Sequence, residues 1–215
     1  MRIKPEELKA HQRYRLMIGS IVPRPIAFVS TLSVDDRLNL APFSFFTGVG
    51  AEPMTVAFCP ANAPDGGEKD TLRNCKPVAE GGTGEFVVNV AIEGYRREVS
   101  AASEPLPYGE SEFDLTGLAT APSEEVRPPR VAASPIAYEC RTRQVIRLAE
   151  GIPGGANLVV GEVVQMHIED NLVNERFEID AGRLAAIGRM GGIEYCRTRD
   201  RFAMPRGRAA LDKEH

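Results

Sequence analysis

The 215-residue chain has no tryptophan, only three histidines and four cysteines. Cys59, Cys75, Cys140 and Cys196 each stand alone, without the short paired spacings that zinc sites use. Isolated thiols also argue against a disulfide framework, so a cytoplasmic setting is expected. His11, His167 and His215 have no carboxylate or cysteine at ligand spacing, and no metal is expected. His167 falls in an alternating strand-like stretch and reads as a satisfied structural histidine. No serine or cysteine occupies a nucleophile turn, so no catalytic side chain is assigned. There is no G-x-G-x-x-G after a strand and no Walker A pattern, which leaves the usual nucleotide folds unsupported. No apolar run approaches the length of a membrane span, and the N-terminus has no apolar signal region. The formal net charge of -4 is spread without a long like-charge block, which speaks against a nucleic-acid partner.

With 43% apolar and 26% charged residues, the chain fits one globular domain over residues 1–215. The proline-free and glycine-free stretch Glu6 to Ile18, ending at Gly19, predicts an N-terminal helix within residues 1–20. Strands are expected at Arg24 to Thr31, Leu40 to Phe46, Met54 to Phe58, Glu85 to Ala91, Tyr138 to Leu148 and Asn157 to Asp170. Gly161 near the start of the last of these predicts a bulge or bend. A short helix should run from Asp70 or Thr71 to Cys75, and residues 94–103 are helix-compatible. Residues 104–117, with Pro105 and Pro107, read as loop. The arginine-rich run from Arg197 to Arg208 lies in a C-terminal tail, 197–215, expected to be solvated. Many strands, few helices and no βαβ rhythm predict a mainly β protein, a barrel with helical additions.

Three segments carry chemistry. Lys69-Asp70-Thr71 brings a cation, a hydroxyl and a helix start together, the donor set of an anion site. Ser30-Thr31 places two hydroxyls at a strand end. In Asn39-Leu40-Ala41-Pro42-Phe43-Ser44-Phe45-Phe46, small residues alternate with phenylalanines, a wall against which a planar ring could lie. Taken singly, each is more simply an N-cap, a strand edge and a core strand.

Their ordered combination resembles the flavin reductase-like family of FMN-binding split-barrel proteins. The likeness rests on Arg24-Pro25-Ile26-Ala27-Phe28-Val29-Ser30-Thr31, on Asn39 to Phe46 and on Lys69-Asp70-Thr71. Glu85-Phe86-Val87-Val88-Asn89 and Gly188-Arg189-Met190-Gly191-Gly192-Ile193-Glu194-Tyr195 extend it. It implies a Greek-key split β-barrel with peripheral helices, a homodimer, and FMN near the subunit interface. By the same likeness Ser30, Thr31, Lys69, Asp70 and Thr71 fall at the phosphate end. Asn39, Ala41, Ser44 and Phe45 fall along the flavin ring, and Arg24 and Arg189 are further partners or interface residues. The implied activity is NAD(P)H-dependent flavin reduction, for a partner oxygenase or another acceptor. The alternative is a non-enzymatic FMN electron-transfer protein without a nicotinamide site. The stretches Ala79 to Gly84 and Asp65-Gly66-Gly67 depart from the family pattern at the expected pocket rim.

Overall fold

The computed structural model describes residues 1–211; the last four residues of the expected tail, His215 among them, lie outside the described residues. A 3-10 turn (Pro5–Glu7) precedes helix α1 (Ala10–Ser20). Strands β1 (Arg24–Pro25), β2 (Ala27–Leu32), β3 (Leu38–Phe43), β4 (Phe46–Ala51) and β5 (Met54–Phe58) follow. Helix α2 (Asp70–Cys75), strand β6 (Glu85–Val90) and helices α3 (Arg96–Ala101) and α4 (Glu112–Thr116) come next. The chain continues through β7 (Thr120–Ala121), β8 (Arg130–Val131) and the long hairpin β9 (Ile136–Arg147) and β10 (Asn157–Ile168). Helix α5 (Ala181–Leu184) and strands β11 (Ile187–Arg189) and β12 (Tyr195–Arg197) complete it.

Seven strands make one antiparallel sheet in the order β3-β2-β6-β9-β10-β5-β4. This is the expected mainly β, Greek-key split barrel. Its two edges, β3 and β4, are consecutive in the chain and only Ser44 and Phe45 separate them. The chain steps from one edge to the other without pairing them, and the barrel stays open at that step.

Period-2 alternation explains the two apolar layers. Ala27 and Val29 of β2 face the interior with Phe43, Val56, Phe58, Phe86, Val88, Cys140 and Val159. α2 adds Leu72 and Cys75 to that cluster. Phe28 faces the other way, toward Leu40, Tyr95, Val99 and Phe113, where α3 and α4 cover the sheet. β2 is therefore buried on both faces: Ala27-Phe28-Val29 are apolar in succession, and the buried hydroxyls of Ser30 and Thr31 that follow are met by hydrogen bonds. Gly161 sits at a register shift of the β9–β10 ladder, as expected. A Cβ there would lie 2.3 Å from Phe86 Cζ, so the barrel wall closes around its missing side chain.

Several expectations change. The N-terminal helix is interrupted at Leu8 and Lys9, where the Lys9 N–H donates to Gln12 Oε1 at 2.9 Å and α1 starts afresh, and it runs through Gly19 to Ser20. The Arg24–Thr31 strand is broken at Ile26, because β1 leaves the barrel to pair with β11 (Arg24 opposite Arg189). The presumed loop 104–117 contains α4, capped by Ser111 Oγ accepting from the Phe113 N–H. The Phe46–Ala51 strand, with two glycines, is an edge whose pairing with β5 supplies what propensity does not. The start of the arginine-rich tail, though exposed, is tethered by ion pairs. Arg197 Nε lies 2.6 Å from Glu93 Oε1, and Arg199 Nη2 lies 3.0 Å from Glu93 Oε2.

Candidate functional site

Thr31, at the end of β2, and Asn39, on β3, face α2 and meet it through hydrogen bonds. Asn39 Nδ2 donates to Thr31 Oγ1 at 3.0 Å and to Thr71 Oγ1 at 3.0 Å. Asn74 Nδ2 donates to Thr31 Oγ1 at 2.9 Å. All four residues are buried. The structure thus brings together three residues expected at the cofactor and adds Asn74, which no spacing signal marked. Thr71 Oγ1 accepts one bond and keeps its own proton to donate.

Ser30 faces the opposite side of the sheet. Its Oγ donates to Pro129 O at 2.6 Å and accepts from Asn89 Nδ2 at 3.2 Å. Asn89 completes a clasp, donating also to Phe28 O and accepting the Val131 N–H at 2.8 Å. Ser30 and Thr31 are neighbours in sequence but occupy two different polar clusters.

Lys69 and Asp70 begin α2, a helix of six residues. The Asp70 carboxylate is ion-paired with Arg73 one turn on, and Arg73 also donates to Glu68 O at 3.0 Å. Lys69 is exposed, and its ammonium makes no ion pair or hydrogen bond among the described residues. It is the cation at this end that remains available.

The step between β3 and β4 is held by Arg24. This side chain is 3% exposed, yet no carboxylate faces it. Its Nη1 donates to Ile18 O (2.5 Å) and Ile21 O (2.8 Å) at the end of α1, where helix carbonyls have no partner of their own. Nη2 donates to Met190 O at 2.9 Å, and Nε to Ser44 Oγ at 3.2 Å. Burial draws its pKa below the ordinary arginine value, Tyr14 opposing and Arg189 adding to the shift, and the group stays protonated at any physiological pH. The guanidinium carbon lies 5.9 Å from the centre of the Phe45 ring, and Tyr14 meets that ring edge-on at 6.5 Å.

Backbone accounting along β3 shows where donors remain. The Leu40 N–H points off the sheet edge and donates at 2.8 Å to Glu112 of α4. Burial pushes the Glu112 carboxyl up, while this bond and one from its own N–H pull it down. Pro42 has no N–H, and Ala41 pairs with Val29 across the ladder. Phe45 O accepts the Cys59 N–H at 2.9 Å, but the N–H groups of Ser44 and Phe45 donate to no acceptor among the described residues. Two adjacent, unspent amide donors therefore lie at the barrel's opening, beside a half-buried phenylalanine and the small side chain of Ala41.

A family model for the flavin reductase like domain matches residues 18–187, and an uncharacterised protein of Halalkalibacterium halodurans is 37% identical over 215 residues, the whole of both chains. The chain belongs to the flavin reductase-like family. Flavin is the cofactor class, and flavin-linked oxidation–reduction the chemistry, that membership carries. Nitrilotriacetate monooxygenase component B from Bacillus cereus superposes with a TM-score of 0.87 at 32% identity, over 95% of this chain and 98% of that one. The 2-nitrobenzoate 2-nitroreductase NbaA of Pseudomonas fluorescens gives 0.84 at 29%, covering 97% of each.

For a member of this family, two other features stand apart from the residues just described. A cavity of about 620 Å³, lined by Glu93, Arg96, Asn171, Arg183 and Arg199 among others, contains none of the expected cofactor residues. Its arginines are already committed to Glu93, to Asp180 and to backbone carbonyls. Glu139, fully buried on β9, accepts the N–H groups of Glu124, Glu125 and Val126 and pairs with His167. Burial raises its pKa, but these four bonds outweigh burial and leave it below the ordinary value. His167 is thus a satisfied structural histidine. Among the described residues no cluster of histidine, cysteine and carboxylates could hold a metal, all four cysteines are free thiols, and no helix is long and apolar enough to cross a membrane.

Proposed function

We propose that the chain is an FMN-binding oxidoreductase, an NAD(P)H-dependent flavin reductase that supplies reducing equivalents to a partner oxygenase or another acceptor. The observation that carries this reading is the pair of unspent amide donors at Ser44 and Phe45, at the opening of the barrel and braced by Arg24. About 16 Å of extended strand separates Asn39 from Ser44 at a rise near 3.3 Å per residue. An elongated ligand with a planar polar-edged ring at one end and an anion at the other fits along that line.

In this arrangement the Ser44 and Phe45 N–H groups meet the polar edge of the ring, and Ala41 and Phe45 form its apolar wall. Lys69 and the Thr71 hydroxyl meet the phosphate, with Thr31, Asn39 and Asp70 holding the loop and helix that present them. Ser30 contributes through the strand it anchors. Arg189, whose guanidinium lies over Tyr195 with its carbon 4.4 Å from the ring centre, flanks the ring end. When bound, flavin would supply the redox chemistry, as acceptor of a hydride (one proton with two electrons) from a nicotinamide. The protein's part is to hold the two rings face to face and exclude water, which needs no acid–base side chain.

A second copy of the chain completes the pocket. Tyr14, Leu16, Met17, Ile21 and Val22 on and after α1 are exposed, as are Val49 and Met54 of the β4–β5 hairpin. This apolar surface adjoins Phe45 through Tyr14, the place where a homodimer interface would cover the ring. The solved relative named as a monooxygenase component supports an oxygenase as the acceptor.

Purified protein should be yellow or bind added FMN in its place, release FMN rather than FAD on denaturation, sediment as a dimer, and oxidise NADH or NADPH with added FMN. Failure to bind either flavin would overturn the cofactor reading. FMN binding without turnover of either nicotinamide would replace the reductase by a flavin electron carrier.

A further inference from the structure

Arg24 is the only buried cation among the described residues. Its acceptors are three carbonyl oxygens and one hydroxyl, all uncharged. Neutral dipoles satisfy its hydrogen bonds but do not cancel its charge, and in a site shielded from water that charge is felt over several ångströms. The titratable groups that face it are Tyr14 and a second cation, Arg189. Four of its five N–H donors are used, which fixes the planar fork against α1, the β11–β12 turn and Ser44.

A strut alone does not require arginine at this place. Three carbonyls could be met by an amide together with a water, and burying a guanidinium without a carboxylate costs solvation energy that neutral groups would not. The charge is placed beside the two residues with unspent amides. We propose that Arg24 is a positioning residue and the electrostatic element of the cofactor site. Through Ser44 Oγ and the Phe45 ring it sets the β3–β4 step. Its uncompensated charge favours the negative charge that two-electron reduction places on bound flavin, and so raises the flavin's midpoint potential. This rests on the reading that flavin lies at the Ser44–Phe45 step.

The test uses full-length wild type, Arg24→Lys, Arg24→Gln and Ser44→Ala, each checked by thermal melting and then loaded with FMN. The readouts are the affinity for oxidised FMN and the midpoint potential of the bound cofactor. Arg24→Gln should lose at least about tenfold of the preference for reduced over oxidised FMN, which for a two-electron couple is a potential about 30 mV more negative. Arg24→Lys keeps the charge but not the fork, and should weaken oxidised FMN binding severalfold with a smaller change of potential. Ser44→Ala should do the same, because it removes only the link to the step. If Arg24→Gln does not fold, Arg24→Met at the same position carries the potential measurement. A flavin-loaded Arg24→Gln or Arg24→Met protein with an unchanged potential would overturn the inference alone. Absence of flavin binding by the wild type would instead overturn the functional reading, and this inference with it.

Discussion

The polar cluster beneath α2 and the step between β3 and β4 are built from adjacent stretches of chain, yet they use their hydrogen-bonding groups in opposite ways. Under α2, Thr31, Asn39, Thr71 and Asn74 are buried and joined to one another. At the step, Ser44 and Phe45 are half-exposed and their amides are unspent, and Lys69 at the start of α2 has no partner among the described residues. A saturated cluster rigidifies; an unsaturated one is free to bind. The same motif therefore supplies both the frame and the contact surface, and mutation should separate them. Changes in the first should cost stability and changes in the second affinity, with Thr71, whose hydroxyl keeps a proton to donate, costing both.

Glu139 is the extreme of the saturated kind, a carboxylate with no exposure that holds three backbone N–H groups and His167. Glu139→Ala should cost about 3 kcal/mol of unfolding free energy at neutral pH, because three backbone donors and His167 lose a charged acceptor and the Val126 N–H among them is buried. The net lowering of its pKa sets the sign of the acid response. Its stabilisation is fully present above the unfolded carboxylate value of about 4.3 and is lost as pH falls through the lower folded value. Urea midpoints measured from pH 7 to pH 3 should drop steeply in the wild type below that point and less steeply in Glu139→Ala. Parallel slopes would show that other carboxylates dominate.

Asn39→Ala comes next. It removes two bonds to threonine hydroxyls inside the cluster, a loss of about 2–3 kcal/mol. Where the variant remains folded, its FMN affinity should stay within a few-fold of wild type. A large loss of affinity with unchanged stability would move Asn39 from the frame to the contact surface. Lys69→Ala should show the reverse pattern. It should leave the melting temperature nearly unchanged and weaken FMN binding about tenfold, or roughly 1.4 kcal/mol, with the difference shrinking at high salt. Isothermal titration at two ionic strengths checks both parts.

Local pattern made the frame legible wherever short-range physics decides it. The apolar start of β2, the bulge glycine Gly161 and the β-rich second half all announce themselves within a few residues; α2 does start at Asp70, but its N-cap is Lys69 with no capping side chain, so neither Asp70 nor Thr71 caps it as their residue types suggest. The bonds that distinguish frame from contact surface do not. Asn89 reaches Val131 across 42 positions, Arg24 reaches Met190 across 166, and Glu112 caps the β3 edge from 72 positions away. No periodicity encodes such pairings, since topology alone brings those residues together. α4 was hidden because five residues between prolines and Gly117 carry too short a period to show. At the site, the residue types were readable, but which of two adjacent hydroxyls faces which cluster depends on strand register.

Ser30 and Thr31 give the finest test of that point. They are consecutive, both hydroxyl-bearing and both fully buried, and only the alternation of the strand assigns them to different clusters. Ser30→Ala removes the bond to Pro129 O and one acceptor for Asn89, while Asn89 keeps Phe28 O as a partner. The expected cost is about 1 kcal/mol of stability with no change in FMN affinity. The Pro129 carbonyl belongs to the segment leading into β8, so the loss should also appear as faster hydrogen exchange at the Val131 N–H, which Asn89 holds. An altered FMN affinity in Ser30→Ala, with that exchange unchanged, would mean the hydroxyl serves the cofactor after all and that the division between frame and contact surface is drawn in the wrong place.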